Sequence, residues 1–307
     1  MIVQALRNVR SISKDQAYAW REWFTILLDL AKIRISLLAT LSTATGYLLA
    51  TGKITIHMLV PTGAVFLLAC GSCALNQYQD REIDQLMERT KSRPIPSGRL
   101  DPETALWISI GLIVLGSLIL FSGAWDLALA LGIFSVLWYN LIYTPLKRKT
   151  AFAAIPGALV GAIPPALGWV TGGGRILDPR IVGVALFFFI WQMPHFWLLL
   201  LDFSEDYKRA GLPSITQLFS RQQIKRIVFI WLLSTGVAGL SFPSSGLINF
   251  HFVYLFLFAA TSWFIWNAIE FFTFNPQGTR VRIVFTKLNI YALFVLFLLS
   301  VDRLLSS

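Results

Sequence analysis

Cysteine and histidine are scarce in this chain, whose 307 residues include two cysteines and three histidines. Cys70 and Cys73 have the CxxC spacing of a redox motif or of half a metal site, but no second pair accompanies them. Because both lie in an apolar stretch, they are more typical of two small residues that pack on one helix face. The sequence therefore predicts neither a disulfide framework nor a cysteine-ligated metal.

Charge is scarce as well. Asp, Glu, Lys and Arg make up 14% of the residues, whereas soluble domains contain about 25%. Hydrophobic residues reach 56% and the mean hydropathy is +0.65, so the composition indicates a protein whose solvent is lipid. The net charge of +10 does not make nucleic acid an expected partner, because membrane proteins collect Lys and Arg in their cytoplasmic loops.

The N-terminal residues lack the short apolar core and small-residue cleavage site of a signal peptide. Charged and apolar residues are instead mixed from Arg7 to Glu22. We predict that residues 1–25 form a cytoplasmic or interfacial segment and that residues 26–307 form a single transmembrane domain.

Nine apolar runs are separated by charged residues or by Gly and Pro. Each run has close to the roughly 20 residues that cross a bilayer, and only a helix satisfies its own backbone hydrogen bonds there. The sequence therefore predicts an all-α polytopic membrane protein with nine transmembrane helices at residues 26–50, 57–77, 104–123, 126–143, 152–171, 181–201, 227–245, 250–272 and 284–303.

Basic residues alternate between the two sides of these spans. With a cytoplasmic N-terminus, 22 Lys and Arg lie at the cytoplasmic face and four at the opposite face, namely Lys53, Arg175, Arg180 and Arg303. The asymmetry holds loop by loop, and a missed span would invert every later loop. We therefore predict a multi-pass protein of the cell (inner) membrane, with its C-terminus outside.

An acidic array closes the second span. Asn76, Asp80 and Asp84 are spaced i, i+4, i+8, which places them on one helix face over roughly 12 Å. Such oxygens are ligands for Mg²⁺, which completes its shell with waters and substrate phosphates. Lys91 and Arg93 follow in a Pro-containing loop and suit the remaining phosphate charge. A solvated helix end is the simpler alternative, but the array begins inside an apolar helix, where polar residues are usually functional.

A second acidic array follows the sixth span. Asp202 and Asp206 are again spaced i, i+4, and Lys208 comes two residues later. Two arrays at one membrane face predict two metal-binding walls around a shared diphosphate near the cytoplasmic face. His195 lies seven residues before Asp202, so His195, Asp202 and Asp206 are predicted to share one helix face, with the histidine roughly 10 Å deeper.

Two further groups of basic residues have open roles. Lys32 and Arg34, at the start of the first span, either extend to the lipid headgroups or line the phosphate pocket. Lys147, with its basic neighbours Arg148 and Lys149, either anchors a cytoplasmic loop or contributes one cation to a phosphate.

The NxxxDxxxD array and the second DxxxD resemble the UbiA superfamily of intramembrane prenyltransferases. More narrowly, four stretches resemble the branch of that superfamily that prenylates haem, and they occur in order along the chain: CALNQYQDREIDQLMERTKSRPIPSGRL, YNLIYTPLKRKT, WQMPHFW and EDYKRAGLPS.

The resemblance implies nine helices around a central cavity open toward lipid. It implies farnesyl diphosphate and haem b as substrates, haem O for terminal oxidases as product, and dependence on Mg²⁺. It also implies a haem-site role for His195, and a haem A synthase or a terminal oxidase as a possible protein partner.

Three other functions stay open from the sequence. A sister enzyme would prenylate an aromatic quinone precursor, and His195 should then not matter. A secondary transporter would carry charges near mid-span, whereas these arrays cluster at one face. A non-catalytic assembly factor would have no need to retain all five oxygen ligands.

Overall fold

The computed structural model describes residues 20–273 and 279–307, with the side chains of residues 279 and 280 excepted. Within these ranges nine helices are long and apolar enough to cross a membrane, which confirms the predicted number of spans. They are α2 (Ile33–Thr51), α3 (Leu59–Gln85), α4 (Pro102–Ser122), α5 (Asp126–Leu137, continued by further turns to Leu146), α7 (Ala154–Thr171), α8 (Pro179–Asp202), α11 (Arg221–Leu240), α12 (His251–Thr273) and α13 (Thr279–Leu305).

Shorter elements complete this part of the chain. A helix at 20–30, α1, precedes α2. A π-helical segment at Trp138–Tyr143 and the single turn α6 (Thr144–Leu146) extend α5. The turns α9 (Ser204–Arg209) and α10 (Ile215–Leu218) connect α8 to α11, and 3₁₀ turns occupy Ile56–Met58 and Phe242–Ser245.

The first predicted span, 26–50, begins too early. The helix breaks at Lys32, whose backbone is left-handed (φ 45°, ψ 54°), and the spanning helix starts only at Ile33. The side chain of Gln77 holds the break, because its Nε2 donates to the carbonyls of Asp29 and Leu30 at 2.7 and 3.0 Å. The boundary between 1–25 and 26–307 stays a prediction, since residues 1–19 lie outside the described residues.

The helices of the bundle pack closely against one another. Helix α2 packs on α7, and α3 on α4. At the first of these contacts, a Cβ on Gly168 would lie 1.9 Å from the carbonyl oxygen of Thr43, so only glycine permits the approach. Large apolar side chains such as Trp107, Phe121 and Trp266 stay exposed on the outside, as lipid-facing residues do.

One end of the bundle carries the loop 86–101, the segment 147–153 and the connection 203–220. We refer to this end as the basic end, because it holds Arg89, Lys91, Arg93, Arg99, Lys147, Arg148, Lys149, Lys208 and Arg209. The candidate site lies here, where α3 and the extension of α5 meet.

Candidate active site

A row of three polar side chains lies at the basic end of α3. Because α3 continues to Gln85, Asn76, Asp80 and Asp84 stand on one face of a single helix, as their spacing predicts. They are 2%, 2% and 4% exposed, respectively. Buried carboxylates require compensation by cations or donors, and the neighbouring elements supply it.

Asp80 is held from the segment that follows α5. Its Oδ2 accepts hydrogen bonds from the ammonium group of Lys147 and, at 2.8 Å, from Nδ2 of Asn76. Its Oδ1 lies 3.3 Å from Nη2 of Arg148. Thr144 joins the same group, since its hydroxyl accepts from Nδ2 of Asn76 at 3.0 Å. The structure therefore brings predicted site residue Lys147 into direct contact with the acidic row.

The other two members of the row have cations of their own. Arg93 donates to Oδ2 of Asp84 at 2.6 Å, so the loop after α3 folds back on its own helix. Lys32 donates to Oδ1 of Asn76 at 2.7 Å. Burial, reinforced by the charge of Arg93, lowers the pKa of Lys32 from its ordinary value of 10.5 to about 8. Lys32 was open to two roles, at the lipid headgroups or in the phosphate pocket, and its contact with Asn76 favours the phosphate pocket.

The π-helical segment sets the position of Thr144 and Lys147. Asn140 in its middle is buried, donates to Oε1 of Gln79 at 3.2 Å, and receives a hydrogen bond from Nε2 of Gln79 at its own carbonyl at 3.0 Å. Ser72 adds a 2.6 Å bond to Oδ1 of Asn140. Such segments are frequent at functional sites, and here the polar clamp fixes the extension of α5 against α3.

Asp206 reaches the loop that follows the first array. Its two carboxylate oxygens accept hydrogen bonds from the backbone N–H groups of Glu88 and Arg89, each at 3.1 Å. The guanidinium of Arg89 in turn lies 4.5 Å from the centre of the Phe203 ring. The second acidic segment is thus docked beside the C-terminal end of α3.

Asp202 departs from the expected arrangement. Helix α8 ends at Asp202 and a new helix, α9, starts at Ser204, so Asp202 and Asp206 do not share a face of one helix. The carboxylate of Asp202 accepts two bonds from Nε of Arg282 on α13, at 3.1 and 2.8 Å. As a metal ligand Asp202 stays a prediction, and its observed partner is a cation outside the acidic row.

His195 lies on α8 where that helix packs on α13. Its Nδ1 is 3.1 Å from Oδ1 of Asn289. Its ring stands between those of Trp191 and Phe285, with centroids 4.8 and 4.6 Å away. No hydrogen bond to Nε2 occurs among the described residues, which leaves that nitrogen available as a ligand.

Aromatic rings connect the acidic row to His195. Tyr139 stacks on Tyr143 at 5.5 Å between centroids, Tyr143 stacks on Phe196 at 5.6 Å, and Phe196 meets His195 edge-on at 6.1 Å. Tyr143 directly precedes Thr144, which bonds Asn76. A continuous line of rings therefore runs from the charged end of the site to the histidine.

Three predicted phosphate-binding residues lie apart from this cluster. Lys91 is exposed and pairs with Glu88 at 2.6 Å. Lys208 and Arg34 are exposed, and neither has a side-chain hydrogen bond or ion pair within the described part of the chain. Their roles stay predictions.

The donor set fits Mg²⁺. Within residues 20–273 and 279–307, no three His, Cys, Asp or Glu side chains converge closely enough to hold a metal by themselves. Mg²⁺ needs fewer protein ligands than that, because it binds through one or two carboxylates and completes its shell with waters and substrate phosphates. The oxygens of Asn76, Asp80 and Asp84 are hard donors of this kind.

Some members of the site were not singled out from the sequence. Asn140 and Asn289 are polar residues inside apolar spans, and that signal could have found them. Gln77 adjoins the acidic array, yet its role depends on α1. Arg282 has no local signal, because only the packing of α13 against α8 reveals its partner.

Sequence comparison identifies a protein family and several named relatives. Residues 39–297 match the family described as the UbiA prenyltransferase family. A protoheme IX farnesyltransferase of Geobacter sulfurreducens is 38% identical over 221 residues, which cover 72% of this chain and 82% of that protein. One from Oleidesulfovibrio alaskensis is 33% identical over 280 residues, or 91% and 96% of the two chains.

Solved structures share the fold. A digeranylgeranylglyceryl phosphate synthase structure superposes with a TM-score of 0.73 at 19% identity, covering 92% of this chain and 98% of the other. A UbiA homologue from Archaeoglobus fulgidus bound to GPP and Mg²⁺ gives a TM-score of 0.65 at 14% identity, covering 91% and 99%. At these identities the likeness establishes the fold alone.

Proposed function

Because the chain belongs to the UbiA prenyltransferase family, we propose that it transfers a farnesyl group from farnesyl diphosphate to a vinyl group of haem b. The product is haem O, which carries a hydroxyethylfarnesyl group and serves terminal oxidases. Relatives that are 33% and 38% identical bear the name protoheme IX farnesyltransferase. The observation that carries the proposal is the line of rings between the acidic row and His195.

The acidic row would hold the metal. Asn76, Asp80 and Asp84 supply oxygens from α3, and Asp206 is placed beside the end of that helix. When bound, Mg²⁺ neutralises diphosphate charge and makes diphosphate a better leaving group.

The cations of the site bind the leaving group. Lys147, Arg148 and Arg93 contact the acidic side chains in this structure, and their donors can turn to the non-bridging phosphate oxygens. They stabilise the charge that develops on diphosphate as the bond between C1 and oxygen breaks. Lys91, Lys208 and Arg34 would add contacts from the rim.

The aromatic rings act on the farnesyl cation that remains when diphosphate leaves. Faces of Tyr139, Tyr143 and Phe196 stabilise the positive charge left on the allylic carbons and keep water away from it. The haem vinyl group then forms the new bond to C1. Water adds to the resulting cation as a hydroxyl group and releases one proton, which balances the reaction.

His195 would bind the acceptor. Asn289 fixes its Nδ1, so Nε2 can face the haem iron in one defined orientation. A small aromatic acceptor would have no use for this histidine, and for that reason haem is favoured over a quinone precursor.

The proposal includes an orientation. The basic end faces the cytoplasm, since Lys and Arg concentrate there, and the C-terminus lies outside the cell (inner) membrane. A haem A synthase or a terminal oxidase would receive the product.

One incubation tests the function. Purified protein is mixed with Mg²⁺, farnesyl diphosphate and haem b, and the products are read by mass. We expect haem b plus farnesyl plus water. Transfer only to an aromatic quinone precursor would assign the protein to the sister activity, and absence of any transfer would contradict an enzymatic role.

A further inference from the structure

Two polar contacts join α8 to α13, at different depths in the bundle. Near the basic end, Nε of Arg282 donates to both carboxylate oxygens of Asp202, at 3.1 and 2.8 Å. Deeper, Nδ1 of His195 contacts Oδ1 of Asn289 at 3.1 Å. On each helix the two contacting residues are seven apart, which is about two turns. The two contacts therefore lie on the same side of the interface between α8 and α13, roughly 10 Å apart along the helix axes.

The contact nearer the basic end is asymmetric in exposure. The side chain of Asp202 is 8% exposed, whereas that of Arg282 is 69% exposed. Only Nε of the guanidinium is engaged among the described residues, so both terminal nitrogens stay available. A guanidinium presents five donors in a planar fork, and here Asp202 fixes one edge while the outer edge faces open space.

The two acids of the second motif have different partners. Asp206 binds backbone N–H groups of the loop after α3, whereas Asp202 binds a cation of α13. The break between α8 and α9 at Phe203 separates them. Asp202 is therefore oriented toward the helix that also holds Asn289, on the acceptor side of the site.

We propose that Arg282 binds a propionate carboxylate of the acceptor haem and that Asp202 is its positioning residue. The inference rests on the proposed function, in which haem b is the acceptor. Haem b combines a central iron with carboxylates at one edge of its ring. With its iron at His195, that edge can point to the basic end, where Arg282 offers the bidentate donors that carboxylates prefer.

The experiment compares haem b with its dimethyl ester, in which both carboxylates are masked. For the native protein, esterification should raise the KM for haem about 10- to 100-fold, the value of a charge-assisted hydrogen bond. Arg282→Gln should raise the KM for haem b by a similar factor and leave the KM for farnesyl diphosphate unchanged. Esterification should then have no further effect on the variant.

Further variants separate binding from folding. Arg282→Lys keeps the charge but loses the fork, so an intermediate KM for haem b is expected. Arg221→Gln, which changes an exposed arginine at the start of α11, serves as the matched control and should behave as the native protein. Asp202→Asn should raise the KM for haem b alone, whereas a metal ligand at this position would alter the dependence on Mg²⁺ and farnesyl diphosphate.

The outcomes distinguish the two proposals. If the native protein farnesylates haem b and its ester equally well, or if Arg282→Gln stays as sensitive to esterification as the native protein, the propionate site is wrong and the proposed function stands. If haem b is not farnesylated under any condition, the proposed function fails and the propionate site fails with it.

Discussion

Asp206 of α9 binds the backbone N–H group of Arg89, 117 residues earlier in the chain, at 3.1 Å. The other oxygen of the same carboxylate binds the N–H group of Glu88 at 3.1 Å. One side chain thereby ties two loops of the basic end together. Because both bonds end on backbone donors, these two bonds depend on the acid at position 206 and not on which side chains occupy positions 88 and 89.

Asp206→Asn should free this loop. An amide presents N–H donors toward one of the two backbone N–H groups, so one of the bonds is lost and the contact becomes repulsive. We expect activity to fall roughly 100-fold and trypsin to cleave the loop 86–101 faster than in the native protein. Glu205→Gln, at the exposed neighbour, is the control for both measurements. Native cleavage rates in Asp206→Asn would contradict the anchoring role.

Asp80→Asn should abolish most turnover. The change keeps the volume of the side chain but removes the charge that faces Lys147, Arg148 and the proposed metal. Loss of charge stabilisation at a reaction centre costs on the order of 100- to 1,000-fold in kcat. Glu82→Gln alters an acid two residues away whose side chain is 82% exposed, and it should retain native activity. Size-exclusion profiles establish that both variants are folded.

Removal of divalent metal should stop the reaction reversibly. Treatment with a chelator leaves the fold intact, because the acidic row is compensated by Lys147, Arg148, Arg93 and Lys32 in this structure. Activity should return on addition of Mg²⁺, whose oxygen preference the row matches. Full activity in chelator would mean that the cations alone handle the diphosphate.

Lys147→Met should weaken the binding of farnesyl diphosphate. It removes the ammonium group bonded to Asp80 while the chain keeps a similar length. We expect a rise of roughly tenfold or more in the KM for farnesyl diphosphate, as for a charge-assisted bond, with the KM for haem b unchanged. The control is Lys149→Met, since Lys149 is exposed at the same end. Equal behaviour of the two variants would exclude a specific role for Lys147.

Asn289→Leu should weaken the binding of haem b, because it removes the hydrogen-bond partner of His195. It removes the oxygen that faces Nδ1 and so leaves the ring without its orienting partner. The affinity for haem b should drop about 10- to 100-fold, measured by titration of the haem absorption spectrum, with farnesyl diphosphate binding intact. Asn289→Asp restores an acceptor and should recover most of the affinity. An unchanged haem spectrum in His195→Gln would rule out iron ligation by this histidine.

The spans and the first acidic row could be predicted because both are properties of local sequence. Hydropathy identifies a run that crosses lipid, and i, i+4 spacing places Asn76 and Asp80 on one face wherever a helix exists. The prediction for the first row needed nothing beyond the continuity of α3.

The remaining features arise from contacts between elements distant in the chain. The break at Lys32 depends on Gln77, 45 residues later, whose amide occupies the end of α1. The divergence of Asp202 from Asp206 depends on a helix end at Phe203, which no glycine or proline marks. Spacing alone therefore predicts both acids on one continuous helix, which the break at Phe203 interrupts.

The π-helical segment Trp138–Tyr143 has a consequence for chain length. Its backbone hydrogen bonds join residues five apart, one more than in an α-helix, and each residue of an α-helix turns the chain by about 100°. Deletion of one residue here would rotate Lys147 away from Asp80 without altering either side chain. We therefore expect this stretch to tolerate conservative replacements far better than insertions or deletions, which makes residue count between Tyr139 and Lys147 as essential to turnover as the lysine itself.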